Sequence, residues 1–306
     1  VTLSDPGELS RDATVAVCAV VGAPGAPDQF VSPDHYSESL VRLADEAARQ
    51  GFGQVAAVVT NENGGLSTVN GWLQAASLGL PLLDCPCNGR AHPTGVMGSL
   101  GLHREPAYAS IAGFAGGAPE RYLDGVLVGR LQTTAKAVRD VSVAVGGMVA
   151  VARNPVALGF LVDNGAPGGI SQAIEVGEAH RSGGVSAVAE LLGGTVVASG
   201  PVTGLRIEQL GGFDVGGLTV DGVRLTFVNE YMSADRGDEP LGAFPDLIMT
   251  FASDGSPLPS AHLREGQEVQ VLVAPAAALK LSSTMSMPEL MEPVHALLKG
   301  ELPTSG

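Results

Sequence analysis

The first hundred residues alternate between short apolar runs and amphipathic segments, which predicts alternating strands and helices. Short runs rich in branched apolar residues predict buried strands at 14–22, 54–60 and 80–84. Apolar residues at helical spacing predict helices over 36–51 and 68–79, and each of these segments ends on glycine. This order predicts βαβ units, and therefore a parallel sheet covered by helices. In such sheets ligands bind beyond the carboxyl ends of the strands.

The middle of the chain predicts further helices, and the second half predicts a separate β-rich domain. Helical patterns are clearest over 123–140 and 170–183. From 193 to 280, short strand patterns alternate with glycine turns, which is typical of an antiparallel barrel or sandwich. Residues 281–306 return to a helical pattern and are predicted to pack back on residues 1–192. We therefore expect an α/β protein: a three-layer α/β/α sandwich domain and a smaller, barrel-like all-β domain.

The net charge limits the classes of partner that the protein can bind, and the small number of cysteines bears on the cellular compartment. The chain has 306 residues and a formal net charge of -15, which opposes binding to nucleic acid or to an anionic membrane surface. Only three cysteines occur, so a disulfide framework is not expected. No apolar run reaches the roughly 18 residues of a spanning helix, and the first residues lack a secretory signal pattern. We expect a cytoplasmic homo-oligomer whose partner is a small-molecule substrate.

The segment DCPCNGRAHP, residues 84–93, contains the most distinctive chemistry of the chain. One interpretation makes Cys87 a nucleophile, because the neighbouring Arg90 and His92 favour a thiolate and would lower the thiol pKa. Cys87 is preferred over Cys85 for this role because it lies between turn-forming residues.

Two other interpretations of the same cysteines stay open. Cys85, Cys87 and His92 offer sulfur and nitrogen ligands that suit zinc, although their spacing is not a common structural-zinc pattern. Both cysteines are alternatively small buried hydrophobic residues, which is what most free cysteines are.

Two further segments carry polar groups beside apolar runs. The sequence NENGG follows the second strand, and Asn61 and Asn63 offer amides for a polar planar ligand, while Glu62 is a candidate base. Asn229 and Glu230 interrupt an apolar strand pattern, and a buried glutamate is costly unless it is paired. Each segment also fits an ordinary structural role, as a glycine turn or as the solvent face of a strand.

Several separated segments resemble the S-methyl thiohydantoin desulfurase family, which is associated with hydantoinase-type genes. The resemblance covers most of the chain, and its most specific positions are Asp84, Gly89, Arg90, Pro93, the pair Asn229–Glu230, and the sequence PDLI at 245–248. The family implies a three-layer α/β/α domain and a β-rich domain, in agreement with the apolar pattern.

The chain departs from the family's usual loop, which reads Asp-x-Asp-x-x-Gly-Arg-x-x-Pro-Glu. Pro86 replaces the second aspartate and Thr94 replaces the glutamate, while Cys85, Cys87 and His92 lie beside the lost carboxylates. Either the chain belongs to a subgroup with different chemistry, or part of the site lies on residues outside this sequence.

The resemblance implies a hydrolase that acts on a five-membered cyclic amide or amidine of the thiohydantoin or hydantoin type and releases a thiol. The expected catalytic residues are Cys87, His92 and Glu62. The expected substrate-binding residues are Asn61, Asn63, Asp84, Arg90, Asn229 and Glu230. A metal-hydroxide variant would use zinc held by Cys85, Cys87 and His92, and otherwise no cofactor is expected. The alternative is a non-catalytic binding or accessory subunit of a hydantoinase-like system.

Overall fold

The computed structural model of the protein describes residues 1–65 and 67–300, and its first half contains a seven-stranded sheet. The strands are Leu3–Ser4 (β1), Thr14–Gly22 (β2), Val55–Thr60 (β3), Leu82–Leu83 (β4), Ser110–Gly116 (β5), Leu123–Gly129 (β6) and Met148–Ala157 (β7). The helices of this part are Pro33–Arg49 (α1), Trp72–Leu78 (α2), Leu131–Ala144 (α3), Leu158–Asn164 (α4) and Gly169–Leu192 (α5). The strand order is β1-β4-β3-β2-β7-β5-β6.

Helices cover both faces of this sheet because successive residues of a strand point to opposite sides. In β2, Ala16 and Cys18 pack with Leu40 and Leu43 of α1. Val15 and its alternate neighbours pack on the other face, with the first residue of α3 and with α4. The two fully buried leucines of α1 contribute about 1.5–3 kcal/mol each by burial. The predicted α/β fold with helices on both faces of the sheet is confirmed.

Three details of the predicted first domain are wrong. The sheet is mixed rather than parallel, because β7 runs antiparallel to β2 and to β5. The predicted helix over 123–140 begins only at Leu131, since the preceding residues form β6, the edge strand that pairs with β5. The helix predicted from residue 68 begins at Trp72, because Gly71 has a φ of 92°, which lies outside the right-handed helical region and makes this residue the N-terminal boundary.

The second half of the chain forms an eight-stranded sheet that folds over its own core. Its strands are Thr195–Leu210 (β8), Phe213–Val220 (β9), Val223–Val228 (β10), Glu230–Arg236 (β11), Glu239–Ala243 (β12), Leu247–Ala252 (β13), Pro257–Leu258 (β14) and Glu268–Ala274 (β15). The order is β12-β11-β10-β9-β8-β15-β13-β14.

The long strand β8 lies in the middle of this sheet and joins its two halves. It pairs with β15 along its first half and with β9 along its second half. The Tyr231 hydroxyl of β11 lies 3.0 Å from Thr250 Oγ1 of β13, two strands that are distant in the sheet order. Among the described residues no pairing joins the edge strands β12 and β14, so the barrel-like detail of the prediction is not confirmed.

The last helix, Pro288–Leu298 (α6), lies where the two halves of the chain meet. Leu290 and Val294 pack in one cluster with Phe213 and Val228 of the eight-stranded sheet and with Met97 of the first half. The division of the chain into domains at residue 192 stays a prediction, and 301–306 of the predicted C-terminal segment lie outside the described residues. Within the described ranges, every helix is too short or too polar to cross a membrane.

Candidate functional site

The candidate site begins where β3 and β4, neighbours in the sheet, end side by side. The loop after β4 continues along the end of β3, since the Cys87 and Asn88 backbone N–H groups donate to the Thr60 and Asn61 carbonyls, both at 3.1 Å. A further bridge pairs Glu62 with Asn88. The two loops that the sequence analysis singled out therefore form one surface.

Four polar side chains from these loops and from β7 form a connected group, here called the central polar cluster: Asn61, Glu62, His92 and Arg153. Glu62 Oε2 lies 2.9 Å from His92 Nε2 and accepts the His92 backbone N–H at 3.1 Å. Asn61 Nδ2 lies 2.9 Å from the same Nε2, while Asn61 Oδ1 accepts from Arg153 Nη2 at 2.9 Å. Asn61, His92 and Arg153 are each at most 6% exposed. The cluster is thus enclosed and held by mutual contacts.

His92 has two partners that require opposite protonation of one nitrogen. Nε2 donates to the Glu62 carboxylate when it carries a proton, and it accepts from the Asn61 amide when it does not. Arg153 holds the amide oxygen, so the Asn61 NH2 group must face the ring. The buried Nδ1 of His92 has no partner among the described residues. An ionised Glu62 carboxylate favours a proton on Nε2 at the expense of the Asn61 contact, and Nδ1 is then the unprotonated ring nitrogen.

Glu230 contributes a second carboxyl group from the start of β11. The residue is half-buried, but its Oε2 is enclosed and has no hydrogen-bond partner within the described ranges. Burial, together with the charge of Glu62, raises the pKa of Glu230 to about 8, while Arg90 acts in the opposite direction. Burial also opposes ionisation of Glu62, but the charge and hydrogen bonds of His92 outweigh it and lower the pKa of Glu62. Two carboxyl groups in one region, one protonated and one ionised at neutral pH, suit general acid and general base roles.

Arg90 connects the loop after β4 to the second sheet. Its Nη2 donates to the Tyr231 carbonyl at 3.3 Å, its Nη1 donates to the Asp246 carbonyl, and its guanidinium lies 4.6 Å from the centre of the Phe244 ring. Burial lowers the pKa of Arg90 to about 10. The arginine therefore places Glu230, the residue before Tyr231, beside the loop that carries His92.

Two arginines of the site were not predicted. Arg153 lies within the buried strand β7, and a charged residue inside the apolar run MVAVARNP was an available signal, because lone buried charges are costly. Arg139 lies on α3, stacks 3.8 Å above the Phe213 ring, and donates to the Gly212 carbonyl at 2.7 Å. On an amphipathic helix it resembles an ordinary surface charge, so no local signal marks it.

The cysteines pack in the apolar core, and Cys87 also lies near Arg153 and Glu62 of the central polar cluster. Cys85 and Cys87 are both fully buried and pack with Val15, Leu83 and Leu161. Burial raises the pKa of Cys85 to about 12 and raises that of Cys87 as well, which is opposite to the predicted lowering. The two thiols stay protonated at neutral pH, and this favours the third interpretation, small buried hydrophobic residues.

The residues proposed as zinc ligands do not converge. Within residues 1–65 and 67–300, no group of three or more His, Cys, Asp or Glu side chains has an arrangement that could hold a metal ion. Cys85 contacts the Leu161 carbonyl at 3.8 Å, whereas His92 contacts Glu62.

Three predicted substrate-binding residues have structural partners. Asp84 accepts the backbone N–H groups of Ile170 and Ser171 at 2.8 and 3.2 Å, so it caps the start of α5. Asn63 donates to the Gly169 carbonyl at 2.7 Å in the same place.

Asn229 Oδ1 accepts the Asp214 backbone N–H at 2.9 Å, and the Asn229 backbone N–H donates to the Asp214 carbonyl at 2.7 Å. Asn229 lies at the corner between β10 and β11 and has a φ of 55°, a left-handed conformation that asparagine tolerates. That corner positions Glu230.

Gly89 explains part of the loop's sequence pattern. A Cβ atom at this position would lie 1.4 Å from the Lys280 carbonyl oxygen, so no other residue fits without moving the backbone. The contact brings the segment before α6 against the loop that carries Arg90 and His92.

The chain matches both parts of one known family and the fold of one solved structure. S-Me-THD-like N-terminal and C-terminal domains match residues 1–117 and 130–292. No curated protein matches the chain. A protein from Chromobacterium violaceum, known from an X-ray crystal structure, is 22% identical in sequence to this chain, with a TM-score of 0.72. The match covers 100% of this chain and 87% of that protein, and this likeness shows the fold. Because the two domain matches span most of its length, the chain belongs to the S-methyl thiohydantoin desulfurase family.

Proposed function

We propose that the protein hydrolyses the carbon–sulfur bond of an S-alkylated thiohydantoin, with water as the nucleophile. The observation that carries the proposal is the Glu62–His92 pair, with Nε2 and Oε2 2.9 Å apart and the opposite ring nitrogen free of a protein partner among the described residues. A carboxylate that orients a histidine base is the usual means of activating a weak nucleophile. Membership of the family supports a thiohydantoin-related substrate.

In the proposed reaction, His92 Nδ1 takes a proton from water as the oxygen adds to the ring carbon that carries sulfur. The carbon–sulfur bond then breaks, the oxygen becomes a ring carbonyl, and the sulfur leaves as a thiol. His92 passes its proton to the ring nitrogen, and the second proton of water restores Glu230 after Glu230 has protonated the sulfur. Glu230, protonated at neutral pH, supplies the proton to the departing sulfur, and Glu62 stabilises the cationic ring of His92.

This scheme replaces the predicted cysteine nucleophile. Burial raises the pKa of the Cys87 thiol, so little of the thiolate form that would attack a substrate is present at neutral pH. Glu62 and His92, both expected to be catalytic, keep that role, and Glu230 moves from substrate binding to acid catalysis.

The test is thiol release from S-methyl thiohydantoin by the wild-type protein, Glu62→Gln, His92→Asn and Cys87→Ala. We expect kcat to fall about 100- to 10,000-fold in the first two variants and to stay within about threefold in Cys87→Ala, because no proton or bond passes through the thiol. Mass spectrometry of the protein during turnover should show no covalent adduct on Cys87. A wild-type protein that binds the compound but never releases a thiol would instead support the accessory-subunit alternative.

A further inference from the structure

Three arginines surround the candidate site without a carboxylate partner. Arg90, Arg139 and Arg153 have no Asp or Glu oxygen within 4 Å anywhere in residues 1–65 and 67–300. The chain has 32 acidic and 17 basic residues, so counter-charges are plentiful elsewhere. Glu62, the ionised carboxylate of this region, contacts His92 instead, so the three guanidinium groups lack a direct counter-ion.

These guanidinium groups have many unused donors. Each has five N–H bonds, of which Arg90 and Arg139 use two each, all on backbone carbonyls, and Arg153 uses one, on Asn61. The Nε atoms of Arg90 and Arg153 are buried and have no acceptor among the described residues. A buried charged donor without an acceptor is costly, so the site favours a ligand that supplies one.

Arg139 and Arg153 both contact the segment after His92: Arg139 Nη2 donates to the Pro93 carbonyl at 3.4 Å, and a Cβ atom at Gly95 would lie 2.4 Å from Arg153 Nη1. Burial, together with the charge of Arg153, lowers the pKa of Arg139 to about 10. Stacking on the Phe213 ring and the hydrogen bond to the Gly212 carbonyl fix the orientation of the Arg139 guanidinium group. Of the three arginines, Arg139 is the one that is only half-buried, so a solute can reach it. An anion beside these two arginines would remove their repulsion and accept paired N–H bonds.

We propose that the substrate carries a carboxylate on its ring substituent and that Arg139, with Arg153 behind it, binds that carboxylate. The inference rests on the proposed function, because it assigns the substrate class of that reaction. A thiohydantoin ring carries an amino-acid side chain on one carbon, so the predicted substrates are those with an acidic side chain. Arg139 is then a specificity-determining residue, separate from the Glu62–His92 pair that moves protons.

The test compares two S-methyl thiohydantoins that differ only in charge, one with a carboxymethyl and one with a carbamoylmethyl substituent. In the wild-type protein we expect kcat/KM for the acid to exceed that for the amide roughly 10- to 100-fold. Arg139→Gln should bring this ratio close to one by slowing the acid alone. Arg224→Gln, which removes the same charge from an exposed position of β10, should leave the ratio unchanged. Arg139→Lys keeps the charge without the planar fork and should give an intermediate ratio.

Binding of the corresponding hydantoin acid and amide, measured by calorimetry, separates this inference from the proposed function. Thiol release from both substrates with a ratio near one would overturn the carboxylate site and leave the hydrolase in place. Tighter binding of the acid, lost in Arg139→Gln, without thiol release from either compound would overturn the hydrolase and keep the carboxylate site. The wild-type comparison decides the carboxylate preference even if Arg139→Gln does not fold.

Discussion

Replacing Glu230 by glutamine should change how the stability of the folded protein depends on pH. Burial and the charge of Glu62 raise the pKa of Glu230 from 4.5 to about 8, so the folded protein keeps a proton that the unfolded chain loses near pH 4.5. Stability therefore falls as the pH rises between these two values. Each pKa unit corresponds to about 1.36 kcal/mol, so the full effect is at most about 5 kcal/mol. Glutamine does not titrate, and its variant should lose this dependence.

The assay is urea unfolding of the wild-type protein, Glu230→Gln and Glu239→Gln at half-unit steps from pH 5 to pH 9. The free energy of unfolding of Glu230→Gln, relative to wild type, should rise across this range and level off above about pH 8. Glu239 is exposed, so Glu239→Gln should follow the wild-type curve. Parallel curves for the wild type and Glu230→Gln would refute the raised pKa and the enclosed environment inferred from it.

The same carboxyl group links stability to activity. As a proton donor, Glu230 must be protonated, so wild-type kcat should fall as the pH rises through about 8. Glu230→Gln should lose about 100- to 10,000-fold in kcat while it gains stability in alkaline solution. Opposite effects on activity and stability are expected when a functional group is held in an unfavourable environment.

Three further experiments, one labelling and two substitutions, test the remaining parts of the site. Cys87 in the native protein should react with iodoacetamide as slowly as the equally buried Cys18, and fast labelling of Cys87 would restore the nucleophile interpretation. Gly98→Ala places a Cβ atom 2.3 Å from Asn61 Oδ1 and 2.6 Å from His92 Nε2, so both side chains must move. We expect kcat to fall at least about tenfold. An unchanged kcat would show that catalysis does not require His92 in this position. Asp84→Ala removes the cap of α5, so urea unfolding should show a loss of about 1–2 kcal/mol with KM unchanged, whereas a raised KM would indicate substrate binding.

The main features of the fold were predictable because apolar runs that are buried on both faces leave a clear pattern. The strands around Val15 and Val58 are such runs. The error at Leu123 has a physical cause: apolar residues at 123, 126 and 127 fit a helix face as well as a short strand, and the pairing with β5 decides between them. Strand direction was not predictable either, since buried parallel and antiparallel strands have similar composition.

The candidate site was predictable where neighbouring strands bring it together. Glu62 and His92 follow two strands that the βαβ pattern predicts to be close, and their side chains are in contact. Glu230 was noticed as a charge in an apolar strand, but its approach to Glu62 depends on the packing of two sheets, which the sequence does not reveal. For Cys87, closeness in sequence was misleading. Neighbouring residues in an extended loop point to different sides, so Arg90 and His92 do not lower the pKa of the Cys87 thiol.

The backbone pairing between the loop after β4 and the end of β3 has a consequence for how this loop can change in evolution. Main-chain hydrogen bonds from Cys87 and Asn88 hold the loop in place, and they do not depend on the side chain at position 87. The backbone position of the loop therefore does not depend on a cysteine side chain at position 87. Gly89 differs from position 87, because its contact with the Lys280 carbonyl leaves no room for a side chain, so a substitution there would displace the loop that carries Arg90 and His92.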